Sequence, residues 1–415
     1  MMLTAGLIWV GFHPFKFLKI MNEQLFIKLQ DFRAALNSAF LEREHIVDGL
    51  LATLLCKQNA FLLGAPGTGK SDLVRAICSG IAGADYFGYL LTPTSDPSEV
   101  FGPVAVSKLL ADEYTRDVHG YLPSCHIAFL DELFRGSSAI LNSLLTLLNE
   151  RTFNNGKDTI ETPIQSIISA TNSWPEEESL QAFADRFIFR PEVQFLSGKA
   201  SKSILDQWAL GIQERPEIKV HLTLDELKEL QEAAKNVGVA SNFLGDYSTL
   251  WEALSSNGIT ISDRRRVQIL KFLKAWALVQ GDEELTAEHF HNSLIHMVYR
   301  STEDQKTIKE IIEAQFPTAA KLISDARRAA DSIMSQFHTR ARSHDGGSLS
   351  GLNDYAKDLK RFHRDVQTIA GKIDELIDSP SSKMPVGVRM NGVKLKNVLE
   401  EYKTQISVAL AQITH

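Results

Sequence analysis

The sequence predicts an α/β core followed by a helical remainder, and three observations predict it. Between residue 60 and about residue 196, short apolar runs alternate with segments of helical spacing. One run, Phe61-Leu62-Leu63, passes directly into a glycine-rich loop, and another, Ile127-Ala128-Phe129-Leu130, ends in two carboxylates. From about residue 199 only helical patterns remain. Such alternation reads as a parallel sheet with helices on both faces.

Taken in order, Leu25, Leu29, Phe32, Leu36 and Phe40 keep helical spacing, and a second apolar helix covers roughly Ile46 to Leu55. Strands are expected at Ala60 to Leu63, Tyr89 to Leu91, Ile127 to Leu130, Ile167 to Ala170 and Val193 to Leu196. Helices fit Lys70 to Ile81 and Ser138 to Asn149. Beyond the sheet, helices are expected near 199–212, 223–237, 246–256, 263–280 and 286–297, with Thr223 and Ser262 as N-caps and Gly238 and Gly281 as stops. After residue 303 the chain is charged and helical, broken by loop compositions at 343–351 and 379–387. Its last helix carries Leu395, Val398, Leu399, Tyr402, Ile406 and Leu410 on one stripe. These patterns divide the chain into an extension over 1–21, an α/β core over 22–198, a helical second domain over 199–300 and a helical C-terminal region over 301–415. Within the extension the apolar run precedes Lys16 and Lys19, the reverse of a signal peptide, and is too short to span a bilayer. The expected start of the native protein is Met21, with a short docking or membrane-surface peptide as the alternative.

The loop Gly64-Ala65-Pro66-Gly67-Thr68-Gly69-Lys70-Ser71 matches the pattern G-x-x-x-x-G-K-[ST]. Its glycines let backbone N–H groups close around an anion, and the helix that follows adds its positive end. Lys70 is then expected on the β- and γ-phosphates of ATP and Ser71 on Mg²⁺. Asp131 stands at the carboxyl end of a buried strand, where chemistry at parallel sheets is placed, and is expected to reach Mg²⁺ through water. Glu132, one residue on, is placed to polarise an attacking water. Asn172 ends another buried strand, and it is placed to orient that water or touch the γ-phosphate. Without the loop upstream, the acidic pair would read as a helix start and Asn172 as a turn residue before Ser173-Trp174-Pro175.

Composition narrows the field. The net charge of −7 over 415 residues argues against a general nucleic-acid or anionic-membrane binder. Three cysteines with neither zinc nor disulfide spacing point to a reduced, cytoplasmic protein. His289, His291 and His296 cluster, but no converging ligand pattern accompanies them, and a solvated helix is the expectation.

Four runs carry a family resemblance: EVFGPVAVSKL (99–109), GYLPSCHIAFLDELFRGSSAILNSLLTLLNERTFNNG (120–156), ATNSWPEEESLQAFADRFIFR (170–190) and ISDRRR (261–266). Over residues 22 to 300 the chain resembles the AAA+ ATPases, more closely the MoxR group, and within it the RavA-like branch. The resemblance implies a P-loop αβα core, a helical lid and ATP hydrolysis in a ring, expected to be a homo-hexamer. It implies that Asn172 is the sensor-1 residue, that Arg186 is an arginine inserted into a neighbour's site, and that Arg264, beside Arg265 and Arg266, is the sensor-2 arginine of the lid. Arg151 becomes a secondary candidate for contact across the interface. Segments 92–120 and Phe153 to Ile164 resemble two β-hairpins facing an axial channel. The expected function is remodelling or chaperone-like maturation of a protein partner, with a von Willebrand factor A domain protein the partner the group suggests. Competing expectations are a nucleic-acid-stimulated motor, a small-molecule kinase and a nucleotide-dependent scaffold. Residues 303–415 match no domain of the RavA-like branch.

Overall fold

The computed structural model describes residues 21–175, 177–209, 218–299, 302–343, 349–378 and 386–414. The expectation for the first 20 residues lies outside them. The chain divides between Ile312 and Glu313 into two compact units.

In the first unit α1 (Glu23–Ala39) and α2 (Glu44–Leu55) lead into β1 (Ala60–Leu63), α3 (Lys70–Ser79), β2 (Ile81–Ala82) and β3 (Tyr86–Leu90). Two short helices, α4 (Pro97–Phe101) and α5 (Val106–Leu109), precede β4 (Ile127–Asp131) and α6 (Ser138–Glu150). Then come β5 (Thr152–Asn155), β6 (Asp158–Glu161), β7 (Ser166–Thr171), α7 (Glu178–Ala184) and α8 (Gly198–Ala209). The lid region holds β8 (Leu222–Thr223), α9 (Leu224–Lys235), β9 (Gly238–Val239), α10 (Phe243–Ser256), α11 (Asp263–Gln280), β10 (Glu284–Leu285), α12 (His289–Ser293) and α13 (Ile295–Val298). The division falls within α14 (Thr302–Gln315).

The central sheet is parallel, in the order β1-β7-β4-β3. Its register sets the site. Leu63 lies opposite Thr171, Leu130 opposite Ser169, and Leu90 opposite Asp131, so Gly64, Glu132 and Asn172 leave the sheet at one end. Strand residues alternate between faces. Ala128, Leu130, Phe61 and Ile167 share one core cluster with Ile140, Leu144 and Leu147 of α6 and with Phe183 and Phe187.

Two of the segments expected as strands or hairpins take another form. Val193 to Leu196 is not a strand. The fifth sheet position is taken by the segment before it, through isolated parallel bridges Ala60 to Phe189 and Leu63 to Glu192. Phe61 N donates to Phe189 O, Leu63 N to Pro191 O and Val193 N to Leu63 O. Pro191 has no N–H to give and is confined to an edge, which breaks this strand into bridges. Segment 92–120 is not a β-hairpin either. It forms α4, α5 and one antiparallel bridge, Val104 to Arg116, with Val106, Leu109 and Leu110 exposed. The hairpin near Phe153 is present as β5 and β6. Asn155 stitches it to the earlier segment, its side chain accepting from Arg116 N at 2.6 Å and donating to Arg116 O at 3.0 Å.

The lid helices start and stop by side-chain chemistry. Thr223 caps α9 in a capping box with Glu226, Ser262 caps α11, and Gly281 ends α11 in the left-handed region at φ 85°. Gly238 is a strand residue, not a stop, since Asn236 closes α9. Phe272 and Trp276 of α11 pack on Phe189, with ring centroids 5.4 and 6.1 Å apart. All three cysteines are free thiols. Burial pushes Cys78 up to about 11 and Cys125 up to about 12, while Cys56, partly covered, is also pushed up to about 12. No helix among the described residues is long and apolar enough to cross a membrane.

The second unit packs α15 (Ala319–Ser343), α16 (Leu349–Asp378) and α17 (Val386–Thr414) around one apolar core. Tyr355, Leu359, Phe362, Val366, Ala370 and Ile373 of α16 are buried there at steps of three and four, a heptad-like seam. Leu395, Leu399 and Ile406 supply the face of α17. Arg340 to Asp358 and Lys396 to Asp374 pair neighbouring helices, and Tyr402 donates to Asp331 at 2.8 Å.

Leu399 is fully buried and Val408 is 54% exposed on the same helix. Leu399→Ala is expected to cost about 2–5 kcal/mol in chemical denaturation of the full chain. Val408→Ala is expected to stay within about 0.5 kcal/mol.

Candidate nucleotide-binding site

The loop between β1 and α3 needs its glycines for two different reasons. Gly67 and Gly69 sit at φ 81° and 80°, where a side chain is strained, and Gly69 is the N-cap of α3. Gly64 is needed for space. A Cβ there would stand 2.4 Å from the Val193 carbonyl oxygen, so only glycine lets β1 end beside the edge segment. Its N–H donates to Thr171 O at 3.0 Å, fixing the loop to the tip of β7. Thr68 Oγ1 donates to Ala65 O at 2.9 Å across the loop.

Lys70 is buried, and its Nζ donates to Gly64 O at 2.7 Å and Ala65 O at 2.9 Å. Burial lowers the Lys70 pKa, while Asp131 and Glu132 nearby pull it back upward. Ser71 follows in the first turn of α3. Asp131 ends β4 and its Oδ1 accepts from Glu132 N at 3.0 Å. That turn holds Glu132 at φ 52°, ψ 45°, a left-handed conformation that side chains rarely adopt. The Glu132 carboxylate is held from both sides: Asn172 Nδ2 donates to Oε1 at 2.6 Å, and Arg135 Nε lies 3.4 Å from Oε2. The acid at the tip of β4 and the amide at the tip of β7 therefore act on each other directly.

These groups line a cleft of about 960 Å³ that includes Pro66, Gly67, Thr68, Gly69, Lys70, Ser71, Asp131, Glu132 and Asn172. Gly64 and Ala65 lie behind it as the carbonyls that take Lys70. The far end of the cleft is walled by Phe40, Leu41, Arg43, Phe195, Leu196 and Ile204. This end was not legible in the sequence. Glu42, at φ 55°, accepts from Ser197 N at 2.7 Å and from Ser197 Oγ, and the buried Arg43 donates to Gln194 O. No pattern in Leu41-Glu42-Arg43 distinguishes it from an ordinary charged turn.

Arg186 and Arg264 are not in this cleft. Both are exposed and line a second cleft of about 440 Å³, with Asn149, Trp174 and Gln181. Arg186 Nη1 donates to Asn149 Oδ1 at 3.1 Å. The three consecutive lid arginines go separate ways. Arg264 faces the second cleft, Arg265 is buried against Asp185, and Arg266 lies over the Trp251 ring at 5.6 Å. Arg151 turns inward: it donates to Asn59 Oδ1 and Lys57 O at 2.9 Å each, and burial lowers its pKa to about 10. An arginine spent on its own chain in this way is not placed for contact across an interface.

Residues 27–232 match the family model described as the MoxR domain in the MoxR-vWA-beta-propeller ternary systems, and residues 245–312 match the AAA lid domain. Two uncharacterized proteins of Methanocaldococcus jannaschii are similar over most of their length. One is 37% identical over 69% of this chain and 73% of its own, the other 35% identical over 74% of this chain and 81% of its own. A crystal structure of a candidate ATPase from Cytophaga hutchinsonii superposes with a TM-score of 0.56 over 70% of this chain and 94% of that one; at 16% identity it shows the fold alone. With its phosphate loop, its acid-tipped strand and a helical lid in one unit, the chain belongs to the MoxR family of AAA+ ATPases.

Proposed function

We propose that this protein hydrolyses ATP in a ring of its own copies and uses the cycle to remodel a protein partner. One observation carries the reading: the groups of the phosphate loop, the acidic pair and Asn172 meet in one cleft, while Arg186 and Arg264 line another. On this reading the two arginines serve a neighbouring subunit's nucleotide rather than their own, and each site is a product of two chains.

Within the first cleft the loop amides and Lys70 would hold the β- and γ-phosphates. The fit of an anion follows from the loop itself, with two left-handed glycines, a third without room for Cβ, and a buried ammonium behind them. Ser71 and Asp131 would hold Mg²⁺, which supplies charge neutralisation at the phosphates. Glu132 is the general base, and Asn172 holds its carboxylate in place. From the adjoining subunit, Arg186 would stabilise charge on the transferring phosphoryl group and Arg264 would report lid position. Six copies are the ring size we propose.

The matched family model is described for systems that pair a MoxR domain with vWA and beta-propeller components, which supports a von Willebrand factor A domain protein as the partner. The acidic net charge favours a protein over a nucleic acid. Similarity to the RavA-like branch rests on the four sequence runs, and we carry it as part of this proposal together with a cytoplasmic setting.

Glu132→Gln is expected to bind ATP normally and hydrolyse it at least about 100-fold more slowly, read by phosphate release; near-normal turnover would remove Glu132 as the base. Lys70→Ala is expected to weaken nucleotide binding at least about tenfold in calorimetry, through loss of a charge-assisted contact. Arg186→Ala alone is expected to lose most hydrolysis, and a mixture with Lys70→Ala subunits to regain part of it. An inactive mixture at every ratio would refute action across subunits.

A further inference from the structure

Two arginines are buried where the lid meets the core. Arg190 is 1% exposed and Arg265 3%. Arg265 Nη1 donates to the Asp185 carbonyl and lies 3.2 Å from Asp185 Oδ1. Its Nη2 donates to Met297 O at 2.7 Å and Phe187 O at 3.3 Å. Arg190 Nη2 donates to the same Met297 O at 2.7 Å, and Arg190 Nη1 lies 3.7 Å from Asp185 Oδ1. The Arg190 guanidinium also sits 5.3 Å from the Trp174 ring and 5.9 Å from the Tyr299 ring. Tyr299 in turn donates to Arg190 O at 2.6 Å.

The positions of these residues in the chain matter as much as the contacts. Asp185 precedes Arg186, and Arg265 follows Arg264. In each pair one member enters the cluster and the other is exposed, and all four line the second cleft. Trp174 lies two residues after Asn172, which holds Glu132. The cluster therefore touches three things: Trp174 beyond the end of β7, the lid helix α11, and the backbone that presents Arg186. As a device for stability it is a poor choice, because buried charges seldom outperform apolar packing. As a device for geometry it is suited, since a planar guanidinium fixes several acceptors at once.

Building on the reading that Arg186 acts in a neighbour's site, we propose that Asp185, Arg190 and Arg265 form a positioning cluster. It moves Arg186 and Arg264 as one body and ties their placement to the state of the chain's own cleft. None of the three lines the chain's own nucleotide cleft. A displacement at Asn172 or a tilt of α11 reaches the exposed arginines through Trp174, Arg190, Met297 and Asp185.

The test uses the full chain carrying Asp185→Asn, with Arg265→Lys as a second variant that keeps the charge but lacks the planar fork that spans the four acceptors of Arg265. ATP affinity, measured with each variant alone, is expected to stay within about twofold of wild type, while kcat falls roughly tenfold. Each variant is then mixed with Lys70→Ala subunits, whose cluster and Arg186 are intact. Partial recovery of hydrolysis is expected, because a subunit with a sound phosphate loop would receive a well-placed arginine from its neighbour. A fold defect in the variant would give no such recovery.

The Arg186→Ala plus Lys70→Ala mixture runs in parallel. If that mixture recovers while the Asp185→Asn and Arg265→Lys mixtures do not, the cluster does not position Arg186, and the reading of Arg186 itself stands. If the parallel mixture fails, action across subunits is wrong and this inference falls with it. Wild-type kcat in both variants would also overturn it. If Asp185→Asn does not fold, Arg265→Lys decides the question by the same measurements.

Discussion

One register governs the nucleotide cleft. With Leu63 opposite Thr171 and Leu90 opposite Asp131, the chain leaves the sheet three times at the same level. Side chains on a strand alternate, so a slip of one residue in β4 would turn Leu130 out of the core and Asp131 into it. The hydrophobic pattern on the α6 face forbids that slip, because Ala128 and Leu130 are needed in the cluster with Ile140 and Leu144. Burial far from the site thus sets where its carboxylates stand. Gly64 adds a steric condition at the same level, since the edge segment passes too close for any other residue.

On that frame the charges balance within a short distance. Lys70 is covered enough for its proton to be held less firmly, and the acidic pair works against the loss. Glu132 pays for its position with a strained backbone, worth on the order of 1–3 kcal/mol, and Asn172 and Arg135 fix the carboxylate that results. A residue in such a conformation points where the turn points it, with little freedom to swing away.

Much of this was legible from residues alone, and for identifiable reasons. Apolar runs that end in Gly64, Asp131 and Asn172 announce both the strand and the polar group at its tip, because a buried parallel strand has nowhere else to put one. The long lid helix α11 was found from end to end, since Ser262 and Gly281 mark its limits chemically. The edge segment at Phe189–Val193 is hidden in the sequence because Pro191 interrupts its ladder and Val193 onward looks apolar enough to be sheet. The segment around α5 pairs only at its base, where Val104 bridges Arg116, and beyond that bridge it forms a short helix with its apolar residues exposed. Which of Arg264, Arg265 and Arg266 turns inward depends on α11's rotation against Asp185, a tertiary fact that three identical neighbours cannot disclose. Glu42 and Arg43 belong to the same class, as their partners lie some 150 residues away.

The three covered thiols bear on how this molecule can be observed. With proton affinities pushed to about 11 or 12, Cys56, Cys78 and Cys125 carry almost no thiolate near neutrality. The thiolate is the nucleophile that adds to a maleimide dye, so the unaltered chain offers such dyes a nearly silent background. A single cysteine introduced on an exposed face would then become the dominant reactive handle, and fluorophores could report subunit exchange without first stripping the native sulfur from the protein.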